Sequence, residues 1–339
     1  MKKHLIAVAV AAAVAAPAAM ADTTLYGLAH VSVDYIDNDT ETATNDSGNI
    51  NVQSGSSRLG VKGTEKLSNG LSALYQMEFG VDMADSGAFS ARNQFVGLTG
   101  GFGTALVGRH DTPMKLAIGK YDLFGDQIGD NGNVAGFGWS DNTAGWNLRT
   151  PNVVAYATPN MGGFNALLAY VADHDQADDG VNIPHDNNEF DAYSLNAGYS
   201  SKMFNVTGAY EVHNALDAEE TSWMIGAGVK FAGLTVNALY QDVEDFAEYE
   251  YQTYGLGAKY AFGKNAVKAQ YYVADADNVD DEPTMLAVGY DYSMSKQTTL
   301  YAAYAMGDNG AKVWGDGHGN KTKAGDDNTA FSVGVKHKF

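Results

Sequence analysis

Two groups of charged side chains are the residues of this sequence whose types and spacing could act on a passing solute. The set consists of Arg58, Lys62, Arg92 and Arg109, followed along the chain by Asp122, Asp126 and Asp130. The three aspartates recur every four residues, which on a helical turn would place their carboxylates on one face. We therefore predict a cationic wall opposed by an acidic face, with an electric field between them. The alternative interpretation is that the aspartates only solvate or cap a loop.

The elements that must position these charges show a two-residue period. Between Leu25 and Tyr35 the apolar, small and aromatic side chains occupy every second position, and polar ones such as His30 and Asp34 occupy the positions between. The segment that ends at Phe339 alternates in the same way. Strands with one oily and one wet face are typical of transmembrane β-barrels.

Strand parity then assigns each cation to a face. If Leu59 faces lipid, Arg58 and Lys62 face the interior. By the same argument we expect four further residues to face outward, namely Phe95, Gly97, Leu106 and Gly108. Arg92 and Arg109 would then also point inward. A Lys or Arg on the lipid face would cost about 2–4 kcal/mol at the membrane midplane, so the energetics favour the same assignment.

Connections along the chain alternate between short Gly/Asn-rich turns and long acidic segments, and they delimit about sixteen strands. The predicted strands are 24–37, 51–66, 71–84, 89–99, 104–112, 150–158, 164–173, 189–200, 203–213, 221–231, 234–244, 250–262, 266–275, 283–293, 298–306 and 328–339. An even number suits closure of an antiparallel barrel. A barrel of this size leaves an aqueous channel. The predicted fold class is therefore all-β, a transmembrane antiparallel β-barrel.

Composition and the N-terminal segment limit the remaining possibilities. Residues 1–21 read as a cleaved export signal, with Lys2 and Lys3, an Ala/Val-rich stretch and an Ala-Met-Ala site, so we expect 22–339 to form one barrel domain. The chain has no cysteine, which excludes disulfides and thiolate metal sites. Its net charge of −20 argues against nucleic acid as a partner.

Several stretches resemble the general porins of Gram-negative bacteria, most closely the neisserial and β-proteobacterial type. The stretches are Thr24-Leu25-Tyr26-Gly27, the run from Ser57 to Glu65 with the turn Leu67-Ser68-Asn69-Gly70, the run from Arg92 to Leu98 with Gly101-Phe102-Gly103, and the terminal Lys338-Phe339. The resemblance implies an outer-membrane homotrimer of sixteen-stranded barrels. It also implies that the third extracellular loop, here Thr112 to Arg149, folds into the lumen and narrows it.

The expected function is passive passage of small hydrophilic solutes and ions through a water-filled pore with a charged constriction, with no cofactor. Acidic residues are concentrated in four stretches of the chain, 173–191, 242–250, 275–282 and 308–327. We interpret them as solvated loops; a functional alternative has divalent cations bridging them to lipopolysaccharide. Whether the pore prefers cations or anions stays open.

Two other classes of protein were weighed against the channel. An enzyme is disfavoured because the sequence contains neither G-x-S-x-G nor H-E-x-x-H, and the pair His30 and Asp34 is an isolated one. A calcium loop around Asp275 and Asp277 lacks the glycine that its turn requires. A purely adhesive surface protein would have no need of a long inward loop.

A substrate-specific saccharide or anion channel is the serious alternative. Such a channel would use an aromatic stacking surface, and the long loop supplies candidates. These are Tyr121, Phe124, Phe137, Trp139 and Trp146. The same aromatic side chains could instead anchor the loop to the barrel wall, which we favour because they are large hydrophobic groups.

Overall fold

The computed structural model describes residues 22–39, 49–135, 145–172, 190–215, 218–246, 249–277, 282–311, 313 and 327–339, and these residues form one closed sheet. Its strands are β1 (Thr24–Asp39), β2 (Asn49–Ser54), β3 (Arg58–Lys66), β4 (Ser72–Val81), β5 (Phe89–Gly100), β6 (Gly103–Asp111), β7 (Arg149–Ala157), β8 (Phe164–Val171), β9 (Phe190–Ser200), β10 (Phe204–Ala215), β11 (Ala218–Phe231), β12 (Leu234–Phe246), β13 (Tyr249–Phe262), β14 (Asn265–Ala276), β15 (Thr284–Ser293), β16 (Thr298–Asp308) and β17 (Asp327–Lys338). Neighbours pair antiparallel throughout, and β1 pairs with β17 to close the ring.

The prediction of sixteen barrel strands is confirmed, because β2 and β3 are two halves of one broken strand. Both halves pair with β1, β2 along its second half and β3 along its start. The break falls at residues 55–57, where Ser56 adopts a positive φ of 51°. At Gly55 a Cβ atom would collide with the ring of His30, so glycine is required where the chain passes over that imidazole.

The alternation of faces is confirmed over most of the wall. In β14 the even-numbered residues are buried and the odd-numbered ones, such as Val267 and Tyr271, are exposed. In β4, Met77 and Phe79 are exposed while Glu78 is buried, as the sequence predicts. Large hydrophobic side chains therefore cover the outer surface, as a lipid-facing barrel requires. The two short helices of the described residues are not long enough to cross a membrane.

The parity prediction is wrong in β5 and β6. Val96, Leu98 and Val107 are about half exposed on the outer face, whereas Leu106 is buried with Phe95 packed against its cluster. The outward assignment of Phe95, Gly97, Leu106 and Gly108 is therefore reversed. The ladder shifts register between Met77 and Phe79 and again between Gly108 and His110. The first extra residue lies in β5 between Ala91 and Gln94, and the second lies in β7 between Thr150 and Val153. Side chains on the two sides of an extra residue lie on opposite faces, so the face of Phe95 does not fix the face of Arg92.

The described residues of the segment between β6 and β7, 112–135 and 145–148, form the main hydrophobic core together with the wall. The segment contains α1 (Pro113–Gly119), capped by the Thr112 side chain, and α2 (Gly132–Ala135). Its buried apolar side chains pack against inward residues of β10–β17 in one cluster. The polar anchors along the wall come from Ser194, Asn196, Thr207, Asn237, Gln270 and Lys336. The segment thus lies against the buried face of the sheet from β9 to β17.

Close approach of this segment to the wall depends on inward-facing glycines. The ring of Tyr121 lies against Gly226, the side chain of Leu123 against Gly257, and the ring of Phe124 against Gly289. A Cβ atom at Gly226 would meet the tyrosine ring directly. Glycine at these positions leaves space on the wall into which the apolar side chains of the segment pack.

Candidate pore constriction

A cavity of about 770 Å³ lies between the segment 112–148 and the inner face of the first strands of the barrel. Ten charged residues line it, five of each sign. The cations are Arg58, Arg92, Lys115, Lys120 and Arg149, and the acids are Asp34, Asp111, Asp122, Asp126 and Asp130. Of the seven residues predicted from the sequence, all but Lys62 and Arg109 belong to this lining. The lining is therefore charged and of mixed sign.

Arg58 joins the wall to the segment across the cavity. It opens β3 directly after the break, and its Nη1 donates to Asp126 Oδ2 at 3.2 Å. Both side chains keep between a quarter and a third of their surface exposed. Burial disfavours the ionised carboxyl, but the charges of Arg58 and Lys336 outweigh that effect and lower the pKa of Asp126. Asp126 is thus ionised, and the predicted juxtaposition of cation and acid occurs here as a direct ion pair.

Arg92 is held by a second carboxylate. Its Nε donates to Glu78 Oε1 at 2.7 Å, and the hydroxyl of Tyr26 donates to the other oxygen of Glu78 at 2.9 Å. Glu78 is buried and belongs to the inward face of β4. The sequence placed Glu78 inward but assigned it no role. In the structure it fixes the direction of the Arg92 guanidinium toward the cavity.

Arg149 is a cavity residue that the sequence analysis did not select. Its Nη2 lies 3.0 Å from Asp111 Oδ1, and Lys115 Nζ lies 3.6 Å from the same oxygen. Asn93 donates to the other oxygen of Asp111 at 2.7 Å. Arg149 stood at the edge of a predicted loop, where strand parity could not be applied. Its position as the residue directly before the predicted strand 150–158 was the available signal.

The acidic residues of the segment are not arranged on a helix. Residues 122–130 form consecutive turns, with positive φ values of 62° at Asp126 and 74° at Gly129. Asp122 accepts from the backbone N–H of Phe124 at 2.8 Å and from Gln270 Nε2 at 2.9 Å. Asp130 accepts from the backbone N–H groups of Asp126 and Gly132 at 2.9 and 2.8 Å. The helical prediction is wrong because wall contacts and these local hydrogen bonds determine the path.

Asp122 and Asp130 differ electrostatically from Asp126. Burial raises the pKa of Asp122, and the neighbouring charge of Asp130 raises it further. Burial likewise raises the pKa of Asp130. Two buried carboxyl groups that repel each other retain a proton more readily than exposed ones. The negative charge of the segment is therefore concentrated at Asp126, beside Arg58.

Lys62 and Arg109 lie apart from the cavity lining. Lys62 is on the same face of β3 as Arg58, and its Nζ lies 4.8 Å from the centre of the Tyr26 ring. Arg109 pairs with Gln94 in the ladder between β5 and β6, directly beside the register shift. The parity argument that turned Arg109 inward relied on Leu106 and Gly108 facing lipid, and Leu106 is buried.

His30 and Asp34 are used to hold the wall together. The His30 ring nitrogens contact Gly55 O at 2.6 Å and the Tyr301 hydroxyl at 2.8 Å. Asp34 accepts from the Ser332 hydroxyl at 2.6 Å. Among the described residues, no group of three or more His, Asp or Glu side chains is placed to hold a metal ion. The sequence compared above with a calcium loop begins at Asp275 and Asp277, and its further acids at positions 280 and 281 lie outside the described residues.

The described aromatic side chains of the segment anchor it. Tyr121, Phe124 and Trp146 are almost completely buried, and none of them lines the cavity. Trp146 stacks on the ring of His213 with ring centres 4.2 Å apart. Phe137 and Trp139 lie outside the described residues. For the three that are described, the arrangement agrees with an anchoring role.

Comparison with known proteins identifies the family. The sequence profile of the family described as Gram-negative porin matches residues 7–312. Outer membrane porin protein 32 of Delftia acidovorans is 33% identical over the full length of both chains. A major outer membrane protein P.IB of Neisseria meningitidis is 30% identical, also over both full lengths. The solved anion-selective porin from Comamonas acidovorans superposes with a TM-score of 0.78 at 25% identity, covering 94% of this chain and 99% of that one.

The chain belongs to the Gram-negative porin family. It is an outer-membrane β-barrel of a Gram-negative bacterium, and its function is that of a porin. The resemblance stated from the sequence is confirmed, as is the fold class. The known proteins that the chain matches are channels rather than enzymes.

Proposed function

We propose that this protein is a general diffusion porin whose constriction lies between an arginine wall and the inward segment 112–148. Small hydrophilic solutes and ions move through it passively, down their gradients. The single observation that supports this proposal most strongly is the cavity of about 770 Å³, lined by five cations and five acids. A hydrated lining of mixed charge passes polar solutes without binding any one of them tightly.

The constriction favours anions. Arg58, Arg92 and Arg149 come from three different strands and converge on one cavity. Burial raises the pKa of Asp122 and of Asp130 and lowers that of Lys115 and Lys120, so the anion preference is assigned to the three arginines. The anion-selective porin from Comamonas acidovorans, which shares the fold, is a relative with that named preference. The low-dielectric walls of the barrel focus the positive electric field of these arginines on the permeating ion.

Reversal potential is the direct test of ion preference. The purified protein is inserted into a planar bilayer with more KCl in one chamber than in the other. An anion-preferring pore makes the dilute chamber negative at zero current. A positive dilute chamber would show that the acidic mouth dominates and would overturn the anion preference, while leaving the porin function intact.

The substrate-specific alternative makes a different prediction for solutes. For a general porin, liposome swelling rates fall smoothly as solute size increases, and added solute does not block current. Concentration-dependent block of the KCl current by one saccharide or organic anion would favour the specific channel. The burial of Tyr121, Phe124 and Trp146 supports the general porin, since none of the three offers a stacking surface to the cavity.

The assembled state is a homotrimer in a membrane that contains lipopolysaccharide, and the mature chain begins at Asp22. OmpT of Vibrio cholerae, which has the same fold, is described in a trimer form. Light scattering of the detergent-extracted protein should give three chains per particle, and a monomer would contradict this. N-terminal sequencing of the exported protein should begin with Asp-Thr-Thr; a start at Met1 would show that residues 1–21 are retained.

A further inference from the structure

Inward-facing lysines are concentrated at the end of the barrel that carries the short turns. The inward faces of β3, β11, β13, β14 and β17 carry Lys62, Lys230, Lys259, Lys268 and Lys336, and Lys66 and Lys338 stand on the same faces at the ends of β3 and β17. Among the described inward positions of this half, the acid set against them is Asp291, which lies 3.1 Å from Lys259 and 3.3 Å from Lys268. This half of the lumen therefore carries an excess of positive charge.

These lysines lie on the short-turn side of the inward segment. Lys268 donates to Leu123 O at 3.0 Å, and Lys336 donates to Gly125 O at 2.9 Å. Lys230 and Lys259 stand near the short-turn ends of β11 and β13, on the faces that also present the inward glycines of those strands. The start of β1 and the end of β17 meet at the same end, since Gly27 N–H donates to Phe339 O.

The opposite end of the barrel is acidic. Acids stand at the long-loop ends of most strands from β11 to β17. Glu219, Asp242, Glu250, Asp275, Asp308 and Asp327 stand at the rim of this mouth on the outward-facing positions of their strands, and Asp34, Glu211 and Glu220 stand on the inward face at the same end. Apart from Arg92, the segment 112–148 and the strands β6 and β7 that flank it, the described part of the chain places no lysine or arginine at these ends. The net charge of −20 thus conceals a separation of charge along the pore axis.

We propose that the pore conducts ions asymmetrically, as a bipolar rectifier with an acidic outer end and a lysine-lined inner end. The proposal rests on the proposed function of an open pore. The acidic end is enriched in mobile cations and the lysine end in mobile anions. When the long-loop side is positive, both kinds of ion are driven from their own end toward the middle of the pore, and the ion content rises. The opposite polarity draws both kinds out of the pore, and the current falls.

Salt concentration sets the size of the effect. At about 0.1 M salt the screening length is about 10 Å, comparable to the distance from a pore wall to a permeating ion, whereas at about 1 M it is about 3 Å. Fixed charges at the two ends therefore control ion content in dilute salt only. We expect the current ratio between the two polarities to exceed about 1.5 at about 0.1 M KCl and to approach one at about 1 M.

The experiment uses the full-length exported protein in planar bilayers, with currents read immediately after each voltage step, before any slow closure. Because the chain has no cysteine, Ser72→Cys, on the inward face of β4 near the short turn, reports orientation. A maleimide-poly(ethylene glycol) too large for the pore lowers the current only from the chamber that faces this mouth. The larger current must flow when the other chamber is positive.

A charge-neutralised variant and a matched control complete the test. Lys62→Gln, Lys230→Gln and Lys259→Gln together remove three lumen charges and spare the two lysines that hold the segment. Lys202→Gln, Lys264→Gln and Lys296→Gln remove as many charges from the turns outside the lumen. The current ratio of the first triple variant should move most of the way toward one, and the second triple variant should keep most of the asymmetry.

Each outcome has a distinct meaning. Equal currents at both polarities in about 0.1 M salt, the opposite sign, or asymmetry that persists at about 1 M would overturn the rectifier and leave the porin proposal standing. Failure of the native protein to form channels would overturn the porin proposal itself. If the first triple variant does not fold, the salt series on the native protein decides.

Discussion

The two sides of this barrel have opposite relations to the segment 112–148. From β9 to β17 the inner face is covered, and its glycines and polar side chains bind the segment. From β3 to β7 the inner face is open to the cavity and presents arginines, each held by one carboxylate. One side therefore supports the segment, and the other is the charged surface that solutes would meet in the proposed pore. In that proposal, a segment packed on one side of a wide barrel leaves a narrow charged passage along the other side.

The largest expected effect comes from removing the support. Gly226→Leu places a branched side chain where the ring of Tyr121 lies. Overpacking of this kind costs about 1–3 kcal/mol, and the segment should shift into the passage or away from the wall. We expect a changed single-channel conductance and a lower temperature for the heat-induced mobility shift on gels.

Gly208→Leu is the matched control for the support. Gly208 pairs with the exposed Ile225 on the outer face, and the nearest atom to an added Cβ lies 3.8 Å away. Its conductance should match that of the native protein. Equal effects of the two leucine variants would indicate a general loss of barrel stability rather than loss of the packing between Gly226 and Tyr121.

Neutralising the open wall should change selectivity while leaving the barrel intact. Replacement of Arg58, Arg92 and Arg149 by glutamine removes three of the five cations that line the cavity. The ratio of chloride to potassium permeability should fall by about threefold or more, because the field at the narrowest section changes sign. Reversal potentials in a KCl gradient measure this ratio. An unchanged ratio would show that these arginines do not determine the ion selectivity of the pore.

A smaller effect should appear on changing pH. The raised pKa of Asp122 means that this carboxyl and Asp130 hold a proton at pH values where free carboxyls have lost theirs. As the pH rises through the raised pKa, the proton leaves, negative charge enters the constriction, and anion preference decreases. Asp122→Asn preserves the acceptor for Gln270 and Phe124 and should make the reversal potential less dependent on pH. An equally steep dependence in the variant would assign it to other groups.

The smallest effect is expected at Arg109. It does not line the cavity and stands beside a register shift in β6. Arg109→Ala should leave single-channel conductance and reversal potential unchanged, whereas Arg92→Ala should alter both. If Arg109→Ala shifts the selectivity as much as Arg92→Ala does, Arg109 would have to be counted among the residues of the constriction.

The wall of this barrel could be predicted from the sequence, whereas the path of its inward segment could not. Alternation from Leu25 onward and the closing strand at Phe339 indicate the barrel, because lipid on one side and water on the other impose a strict two-residue period. That period fails in β5 between Ala91 and Gln94, where an extra residue reverses the faces and no composition signal marks it. Arg58 and Arg92 line the cavity, Arg92 because the extra residue in β5 separates its face from that of Phe95, whereas Arg149 lay where no period applied.

The inward segment illustrates the physical limit of the prediction. The spacing of Asp122, Asp126 and Asp130 suggested a helix, but the segment takes its shape from contacts with distant strands. Gln270 holds the backbone at Leu123, and Gly289 admits the ring of Phe124. Local propensity is a weak guide where tertiary contacts with a preformed wall determine the backbone.

Single-cysteine accessibility tests the difference between the two sides most directly, because the native chain contains no cysteine. Ser90→Cys lies in the lining of the cavity, and Ser222→Cys lies fully buried on the covered side. A charged thiosulfonate reagent should lower the current through Ser90→Cys channels in steps and leave Ser222→Cys channels unchanged. Rapid modification and block of Ser222→Cys, with Ser90→Cys unaffected, would contradict the account, because the open passage would then run along the opposite wall.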